Sequence, residues 1–423
     1  MTISVEIIAT GSELLHDGLR NTTTPFLISQ LTELGYEIKK ISTVDDRIEE
    51  IKGAVQEALR RADLTFVTGG LGPTPDDLTR EAVAEALSIP LEFRSDLWEE
   101  IQQYFTERHA TITSVNIKQA YLPCGAHALH NPLGTAPGFL ILNDDDRLLV
   151  VLPGPPGEAR EMFSHEVRPF LEKHYPAPVS CRCAFNICGC GETVVYDRIQ
   201  NVIKEAQAAG IKYSFIPGPG ELKLILNVND PNVEKKELFR ELSQQIKELS
   251  GSDLYGVNEE SLTGKVGELL TEKGATIGVA ESCTGGLVTS YLTDVPGSSH
   301  YISGGIIAYS CEIKESILGV NSKTLGEYGA VSAQTAKEMA SGVRRLMNAA
   351  YGLATTGFAG PDGGTKENPV GTVYLGLATA EKELAQRVYF PGIGRTTLKK
   401  IAAKRAIDLL RRYLIDPDGV DQC

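Results

Sequence analysis

The sequence predicts an α/β protein with three parts: an N-terminal α/β domain, a small α+β middle domain and a C-terminal α/β domain. A chain of 423 residues is too long for one hydrophobic core. Apolar runs of strand length alternate with segments whose apolar residues recur at helical spacing. Glycine-rich segments follow several of the strand-like runs. This alternation is typical of a parallel sheet covered by helices on both faces, in which ligands bind beyond the carboxyl ends of the strands.

The N-terminal domain is predicted to span residues 1–175. Its clearest elements are strands over 5–10 and 64–68 and helices over 25–34 and 47–61. Glycine-containing loops, Thr10–Ser12 and Gly69–Gly72, follow the two strands. We therefore expect a binding site where these two loops meet.

The middle domain is predicted over 176–250, after a linker at Tyr175–Pro178. Its predicted elements are a strand over 182–187, a helix over 193–208, a hairpin with strands over 212–215 and 221–229, and a charged helix over 232–249. This part of the sequence contains no motif to which we can assign chemistry.

The C-terminal domain is predicted over 261–415, after a second linker over 251–260. A helix opens it at Ser261, and a long amphipathic helix over 396–414 closes it. Between them lie three predicted strands, over 276–280, 305–309 and 352–356, each ending in a segment rich in Gly or Ser. These three loops are expected at one edge of a sheet, where a second site would form.

Composition argues against several classes of protein. The chain carries 41 Lys and Arg against 55 Asp and Glu, a formal charge of −14, which disfavours nonspecific binding to nucleic acid. No apolar run approaches the ~20 residues needed to span a bilayer, and the N-terminus lacks the features of a signal peptide. We therefore expect a cytoplasmic protein that contacts neither membrane nor nucleic acid.

Four of the eight cysteines form two Cys-x-Cys pairs, Cys181 with Cys183 and Cys188 with Cys190. Residues two apart share one face of a strand, so a metal site is conceivable, although the spacing differs from the Cys-x-x-Cys of zinc ribbons. A disulfide framework is not expected in a cytosolic chain of this size. We interpret the pairs as reduced, half-buried thiols.

The segment Gly69–Arg80, Gly-Gly-Leu-Gly-Pro-Thr-Pro-Asp-Asp-Leu-Thr-Arg, is the most specific stretch of the first domain. Its glycines let backbone approach a ligand closely, and free N–H groups at the start of a following helix favour an anion. A structural alternative makes Thr74 the N-cap, Pro75 the first helical residue and Asp77 the third residue after the cap. It leaves Asp76 unexplained. Two carboxylates beside a phosphate position indicate a divalent cation.

Ser282 lies in Ala280–Gly286, Ala-Glu-Ser-Cys-Thr-Gly-Gly, between a predicted strand and a helix. A serine at such a turn presents its hydroxyl beside backbone N–H groups that bind an oxyanion. Two alternatives stay open. Ser282 or Thr284 caps the helix, or the neighbouring Cys283 is the nucleophile.

A nucleophilic serine needs a base, and the C-terminal domain has one histidine, His300, in a stretch typical of a surface loop. Lys314, just past a predicted buried strand, is the other candidate, because a lysine with a lowered pKa can serve a catalytic serine. A lone lysine at a helix start is usually solvated, and only its combination with Ser282 and Tyr309 suggests catalysis. The loop Gly357–Gly364 indicates a backbone cradle for phosphate or ribose, or else a flexible loop.

Several motifs in the same order resemble the CinA (competence/damage-inducible protein A) family over essentially the whole chain. They are Gly-Ser-Glu-Leu-Leu from Gly11, Asn21-Thr22, Gly-Gly-Leu-Gly-Pro-Thr from Gly69, Asn131–Gly138 and Pro153–Glu158. The first domain of that family is similar to the molybdopterin-binding MoaB/MogA fold. The resemblance implies a metal-dependent ADP-ribose pyrophosphatase that yields AMP and ribose 5-phosphate.

Carried over by position, the resemblance implies a role for each residue of the N-terminal site. Asp77, with Asp76, would hold a divalent metal such as Mg, Mn or Co. The residues that cradle the pyrophosphate or line the cleft would be Gly70, Gly72, Thr74, Glu13 and Asn21. The family commonly has a further asparagine where this chain has Thr23, so one amide is missing from this region.

Four motifs resemble the CinA C-terminal domain, whose stand-alone relatives are PncC-type nicotinamide mononucleotide deamidases: Ala280–Gly286, Tyr309-Ser-x-x-x-Lys, Gly329–Ser332 and the loop from Gly357. The resemblance implies hydrolysis of the ring carboxamide to nicotinic acid mononucleotide and ammonia, with no metal or other cofactor. Ser282 would be the nucleophile, Lys314 its base and Tyr309 a polariser or proton relay. Substrate contacts would come from Thr284, Gly285, Gly360, Asp362 and Arg395, the last as a phosphate ligand.

The leading hypothesis is a bifunctional enzyme of pyridine-nucleotide recycling that acts on nicotinamide mononucleotide and ADP-ribose and forms a homodimer. Two other classes remain as alternatives: a molybdopterin-type ligand-binding protein with a vestigial C-terminal domain, and an accessory protein of competence or DNA recombination. The intact Ser282, Lys314 and glycine loop argue against the first. The charge of −14 argues against direct DNA contact.

Overall fold

Apolar strands and amphipathic helices alternate through the first 175 residues, as the sequence predicts. The structure is a computed structural model and describes residues 3–143, 145–176, 180–229 and 232–419. It divides into a first unit, Met1–Ser180 with Asn229–Pro231, and a second unit, Cys181–Val228 with Asn232–Cys423.

The first unit contains short and long elements of both kinds. Its strands are β1 (Ser4–Thr10), β2 (Glu37–Val44), β3 (Leu64–Thr68), β4 (Leu91–Phe93), β5 (Tyr121–Pro123), β6 (His127–Leu129), β7 (Gly138–Leu142) and β8 (Leu148–Leu152). Its helices are α1 (Ser12–Leu15), α2 (Thr23–Glu33), α3 (Ile48–Arg61), α4 (Thr79–Leu87), α5 (Ser95–Glu107), α6 (Pro156–Met162) and α7 (Arg168–His174), with a 3-10 helix at Ser114–Ala120 and a π-helical turn at Phe163–Val167.

The main sheet of this unit has the strand order β2-β1-β3-β8-β7-β6. The first four strands are parallel, while β7 runs antiparallel to both of its neighbours. The prediction of a parallel sheet is therefore wrong at this edge, where the short loop between β7 and β8 makes a hairpin. Side chains of the central strands alternate between two apolar clusters, with Ile8 and Val67 packing on the α3 side and Ile7 and Phe66 on the α2 side.

The second unit begins with the elements of the predicted middle domain. They are β9 (Ser180–Cys188), α8 (Glu192–Ala208), β10 (Lys212–Gly218), β11 (Glu221–Asn229), α9 (Val233–Ser250), a 3-10 turn at Gly251–Asp253 and β12 (Leu254–Val257). The strands β10 and β11 form the predicted hairpin, in a sheet of order β10-β11-β9-β12. One face of this sheet packs on α8 and α9.

The predicted linker over 251–260 is wrong, because part of it is strand β12, which pairs antiparallel with β9. Its register places Leu254 opposite Ile187. Arg412, on the last helix of the chain, binds both Asp253 (2.7 Å) and Asp408 (2.8 Å). Middle and C-terminal segments therefore form one packed unit. Of the first predicted linker, residues 177 and 178 lie outside the described residues.

The remaining elements build the C-terminal α/β part. They are α10 (Leu262–Glu272), β13 (Ile277–Glu281), α11 (Leu287–Thr293), β14 (Ile302–Ile307), α12 (Cys311–Ser316), α13 (Ser322–Tyr328), α14 (Ala333–Leu346), β15 (Tyr351–Gly357), β16 (Thr372–Ala378), β17 (Glu383–Tyr389) and α15 (Arg395–Ile415), with a 3-10 turn at Ser298–His300. The sheet order is β14-β13-β15-β16-β17.

Only three strands of this sheet are parallel, since β16 and β17 form an antiparallel meander. Helices α10, α11 and α15 cover one face and contribute to a large apolar cluster, and α14 packs on the other face. The carboxyl ends of β13, β14 and β15 consequently meet at one edge, as predicted from the three loops.

The paired cysteines lie in and just after β9. Cys181, Cys183 and Cys190 are half-buried, as expected, but Cys188 is fully buried. Burial raises the pKa of the Cys188 thiol well above its ordinary value. Elsewhere, no helix within the described residues is both long and apolar enough to cross a membrane.

Candidate active sites

The carboxyl ends of β1, β3 and β8 open onto a cleft of about 610 Å³ in the first unit. Its walls come from the loops that follow these strands and from the segment after β2, so the predicted meeting of the loops is confirmed. Most of the predicted site residues line the cleft: Glu13, Asn21, Gly70, Gly72, Asp76 and Asp77. Thr74 is not among the described lining residues.

Glycine is required at the floor of this cleft. Gly69 and Gly70 have φ angles of +106° and +65°, which side-chain-bearing residues rarely adopt. A methyl group on Gly70 would also collide with the Thr79 hydroxyl, and one on Gly72 would collide with the Asp77 carboxylate. The glycines therefore let the loop curl tightly enough to bring Asp77 against it.

Two basic residues that were not predicted as site residues, Arg80 and Lys118, donate hydrogen bonds to backbone carbonyl oxygens of this loop. Arg80 is 1% exposed, and its guanidinium donates to the carbonyl oxygens of Leu71 (2.6 Å) and Gly72 (2.8 Å). Lys118 Nζ donates to the carbonyl oxygen of Asp77 (2.5 Å). Burial lowers the pKa of Arg80 to about 10, so it stays charged at neutral pH. The shape of the loop is thus held by the buried Arg80 and the partly exposed Lys118.

The structural alternative, in which Thr74 caps a helix that begins at Pro75, is wrong, because α4 begins only at Thr79. Thr74 donates from its backbone N (2.9 Å) and its hydroxyl (2.5 Å) to Asp77 Oδ2. Asp77 is therefore the acceptor in a local turn, and Thr79 N donates back to Gly70 O at 3.2 Å. A glycine loop, and not the first turn of a helix, faces the cleft.

Asp46 adds a carboxylate that the sequence analysis missed. It follows β2, lines the cleft and accepts a hydrogen bond from Ser12 N at 2.7 Å. Burial raises its pKa, and the negative charges of Glu13 and Asp76 raise it further. Within the described residues, no group of three or more His, Cys, Asp and Glu is preassembled for a metal. Carboxylates around a cleft suit an ion that takes one or two of them and completes its shell with substrate phosphate oxygens and water.

Asn21 lines the cleft but also has a structural role. Its Oδ1 accepts from Thr24 N at 3.0 Å, and its Nδ2 donates to the Thr24 hydroxyl at 2.8 Å, which holds the start of α2. Thr23 donates its hydroxyl to Gly154 O at 2.6 Å. The threonine thus ties α2 to the loop after β8.

At the edge of the C-terminal sheet, Lys314 Nζ lies 3.0 Å from Ser282 Oγ. Ser282 follows β13 directly, and Lys314 lies on α12, which follows β14. Ser282 is 8% exposed and Lys314 1% exposed. The two residues, 32 positions apart in sequence, are brought together as predicted. His300, by contrast, lies exposed on the turn at Ser298–His300.

Two backbone carbonyls orient the Lys314 amine. Nζ donates to Ala308 O at 2.7 Å and to Tyr309 O at 3.3 Å. Burial lowers the pKa of Lys314, since few neighbours compensate a charge there. A neutral amine has two N–H groups for these carbonyls and one lone pair, which would then face the Ser282 hydroxyl. This is the arrangement of a base beside a nucleophile.

Neither Ser282 nor Thr284 caps α11, so that structural alternative is wrong. Glu281 has this role: its carboxylate accepts from the backbone N of Gly286 (2.9 Å), Val288 (3.1 Å) and Thr289 (2.9 Å). Thr284 is fully buried, with its hydroxyl 2.7 Å from that of Thr355. The Thr284 side chain therefore supports the turn, and the predicted contact of this side chain with substrate is wrong, because it is not accessible.

Cys283, the rival nucleophile, is 6% exposed and belongs to the apolar cluster beneath the sheet. Burial raises the pKa of its thiol to about 12. A thiol is a strong nucleophile only as thiolate. The geometry favours Ser282.

Arg395 connects two of the other predicted residues. Its guanidinium donates to Gly360 O at 2.8 Å and to the Tyr309 hydroxyl at 2.9 Å. Tyr309 is 62% exposed, and within the described residues no hydrogen bond joins its phenol to Ser282 or Lys314. Asp362 is exposed on the same loop as Gly360. A proton relay through Tyr309 is thus not formed here.

Lys399, which the sequence analysis did not consider, also lies at this site. A methyl group on Gly285 would stand 3.3 Å from Lys399 Nζ. Gly285 has a φ of +63°, so its backbone conformation favours glycine there. The signal in the sequence was the spacing: Lys399 lies one helical turn after Arg395 on α15.

Comparison with known proteins matches the two ends of the chain separately. Residues 259–414 match the family model described as "CinA C-terminal domain", and residues 6–173 match "Probable molybdopterin binding domain". A protein of Halothermothrix orenii, named as competence-damage inducible, is 41% identical over 97% of this chain and 98% of its own length. A "CinA-like protein" of Kosmotoga olearia is 41% identical over 98% of this chain and 99% of its own.

Among solved structures, the CinA protein of Thermoplasma acidophilum is 30% identical to this chain. The match covers 40% of this chain and 98% of that protein, with a TM-score of 0.37.

Proposed function

The chain belongs to the CinA family, and on that premise we propose that it is a hydrolase with two independent small-molecule sites. The C-terminal site would hydrolyse nicotinamide mononucleotide to nicotinic acid mononucleotide and ammonia. One observation carries this proposal: a buried lysine with a lowered pKa lies 3.0 Å from the hydroxyl of Ser282. Burying a lysine without an acidic partner costs stability. A role as the base for Ser282 would explain why the chain has a buried lysine here.

In the proposed reaction Ser282 Oγ attacks the carboxamide carbon while neutral Lys314 takes the hydroxyl proton. Backbone N–H groups of the turn after Ser282 would stabilise the oxyanion. The protonated lysine then gives its proton to the departing nitrogen, so the C–N bond breaks and ammonia leaves. Water then attacks the resulting ester while Lys314 accepts a proton from it; the C–Oγ bond breaks, Lys314 returns that proton to Ser282 Oγ, and the acid is released. No step needs a metal.

For the first unit we propose metal-dependent hydrolysis of ADP-ribose to AMP and ribose 5-phosphate. The cleft combines backbone that approaches a ligand closely at Gly70 and Gly72 with carboxylates at its rim. Asp76 and Asp77 would hold a divalent ion, with Asp46 close to Asp76. When bound, such an ion neutralises pyrophosphate charge and activates water. The protein's part is to position the carboxylates, through the buried Arg80 and the partly exposed Lys118.

Product analysis tests both activities. The full-length protein is incubated separately with nicotinamide mononucleotide and with ADP-ribose plus Mg²⁺, Mn²⁺ or Co²⁺, and products are separated by chromatography. We expect nicotinic acid mononucleotide with one equivalent of ammonia in the first reaction, and AMP with ribose 5-phosphate in the second. Failure of one reaction would remove that assignment without affecting the other.

A further inference from the structure

We propose that a second-unit pocket, formed where the middle segment meets the C-terminal segment, binds a small organic anion through Arg405. The pocket has a volume of about 400 Å³, within the range of small-molecule sites. Its walls come from the turn after β9, the turn of the β10–β11 hairpin, the end of β17 and the middle of α15. It shares no residue with those named above for the two hydrolase sites, so the proposal does not depend on either reaction.

Arg405, on α15, lines this pocket with a guanidinium that lacks protein acceptors. Its Nε and Nη1 are fully buried and have no hydrogen-bond partner, and within the described residues no carboxylate forms an ion pair with it. Buried N–H groups without an acceptor cost stability, and more so when they carry charge. The charge is delocalised over the guanidinium, so an anion at the part of the side chain that faces the pocket would compensate it.

The carboxylate next to Arg405 is already bound by other cations. A methyl group on Gly189 would lie 2.6 Å from Arg405 Nη1 and 3.2 Å from Asp253 Oδ1, which places the two side chains near each other. Asp253, however, pairs with Arg198 and with Arg412, at 2.7 Å in both cases. Asp253 therefore has two cationic partners already, and Arg405 is an additional positive charge.

The two acidic residues of the pocket wall do not neutralise Arg405 either. Glu221 forms an ion pair with Lys404 and accepts from the Tyr255 hydroxyl at 3.1 Å. Glu192 is exposed and makes no ion pair with Arg405. An anion from outside the chain is thus the acceptor that the pocket lacks.

The rest of the wall indicates what the anion is attached to. Leu222 and Ile401 are buried, Phe390 is partly buried, and Tyr389 is 43% exposed. Apolar and aromatic walls with one cation favour a ligand with an apolar or planar body and a single charged group. A guanidinium matches the paired oxygens of a carboxylate or a phosphate. The ligand class is therefore a ring-containing carboxylate or phosphate monoester.

Thermal unfolding of the full chain tests the site with two anions and their neutral counterparts. The probes are nicotinate with nicotinamide, and AMP with adenosine. Nicotinate, AMP or both, in large excess, should raise the melting temperature of the wild type by about 3 °C or more above that of Arg405→Met. Binding at the hydrolase sites is common to both proteins and cancels in this difference. Arg345→Met, at an exposed position on α14, is the matched control and should behave as the wild type.

The anion that gives the Arg405-dependent shift identifies the charged group as carboxylate or phosphate. Equal shifts in wild type and Arg405→Met with both anions would overturn the proposal, and so would an equal Arg405-dependent shift with the neutral counterparts. Without any probe, Arg405→Met should melt no lower than the wild type, because an uncompensated buried cation is removed. A lower melting temperature would show that the guanidinium already has a stabilising partner in the protein, which would also overturn the proposal.

Discussion

In the C-terminal site, Lys314 Nζ lies 3.0 Å from Ser282 Oγ, and both side chains are buried. Burial lowers the pKa of Lys314 and raises that of Cys283 to about 12. The same low-polarity environment thus favours a neutral amine, which can act as a base, and a neutral thiol, which is a poor nucleophile. One physical cause selects between the two adjacent residues that sequence alone left open.

Mutation of the pair should therefore be non-additive. We expect Ser282→Ala and Lys314→Met each to reduce deamidation by about 10³-fold or more, with the double variant little worse, because the two act as a unit. Cys283→Ala should keep most of the activity. Cleavage of ADP-ribose by the same variants is the internal control and should not change. A fully active Ser282→Ala with an inactive Cys283→Ala would make this a thiol enzyme instead.

The pH dependence of deamidation should report the titration of Lys314. The amine acts as a base only when neutral, so kcat/KM should rise with pH through the pKa of Lys314 and level off above it. Because burial lowers that pKa from its ordinary value of 10.5, the midpoint should lie below 10.5. The measurement is a pH–rate profile of wild type and Lys314→Met. If the residual activity of the variant shows the same rising limb, another group is the base.

At the scale of elements, the turn from β13 to α11 depends on a buried carboxylate. Glu281 is fully buried and accepts three backbone N–H groups and the Thr289 hydroxyl (2.8 Å). A carboxylate at a helix N-terminus is favourable for both its charge and its acceptors. The helix start is thereby fixed next to Ser282, which no glycine or serine of the turn could do alone.

Glu281→Gln should destabilise the second unit, because one carboxylate oxygen becomes an NH₂ group that faces N–H donors. We expect a loss of about 2 kcal/mol or more in the free energy of unfolding, from buried donors left without an acceptor. Glu327→Gln, at an exposed position, is the control.

The single tryptophan of the chain, Trp98, lies in the first unit, so its fluorescence reports that unit alone. Denaturation followed by circular dichroism should therefore shift in Glu281→Gln, while the fluorescence transition stays in place. A shift of the fluorescence transition by the same amount would show that the effect is not confined to the second unit.

The sequence predicted elements well where periodicity was strong and poorly where tertiary pairing decided the outcome. Strand β3 and helix α3 were predicted within a residue of their observed bounds. Strand β12 was taken as a linker, because its four residues, Leu254–Val257, carry no repeat and form a strand only by pairing with β9. The helix start at Thr74 was a propensity argument that the Arg80 contacts to Leu71 and Gly72 override.

In the candidate sites too, residues within local motifs were predicted, and residues that only tertiary contacts bring in were not. Residues in motifs after strands, such as Ser282, Lys314 and Asp77, were predicted because strand ends converge whatever the details of packing. Lys399 was missed although it lies only one helical turn after Arg395. Asp46 and Lys118 were missed because each lies far in sequence from its motif and joins the site only through the fold. Their residue types carried no signal without the contacts.

At the scale of the whole molecule, the same architectural principle is used in both units. Each has parallel strands whose carboxyl ends carry loops, and each has antiparallel strands at one edge of the sheet. What differs is charge: carboxylates surround the cleft of the first unit, while Lys314, Arg395 and Lys399 gather at the second site. The first arrangement suits a cation with an anionic substrate, and the second suits a phosphorylated substrate without a metal.

Removal of metal should therefore affect only one of the two activities. A chelator in excess should abolish cleavage of ADP-ribose, with recovery on adding back Mg²⁺, Mn²⁺ or Co²⁺, because the carboxylates act through a cation. Deamidation should stay nearly unchanged, since the pair of Ser282 and Lys314 needs no metal.

Asp77→Asn should reproduce this selective loss of ADP-ribose cleavage without unfolding the loop. An asparagine oxygen can still accept hydrogen bonds from the Thr74 backbone N and hydroxyl, while the negative charge that binds the metal is gone. Metal binding by calorimetry and both product assays are measured on the same preparations. Equal loss of both activities on chelation would contradict two independent sites, and unchanged metal affinity in Asp77→Asn would leave Asp77 only its role in the turn.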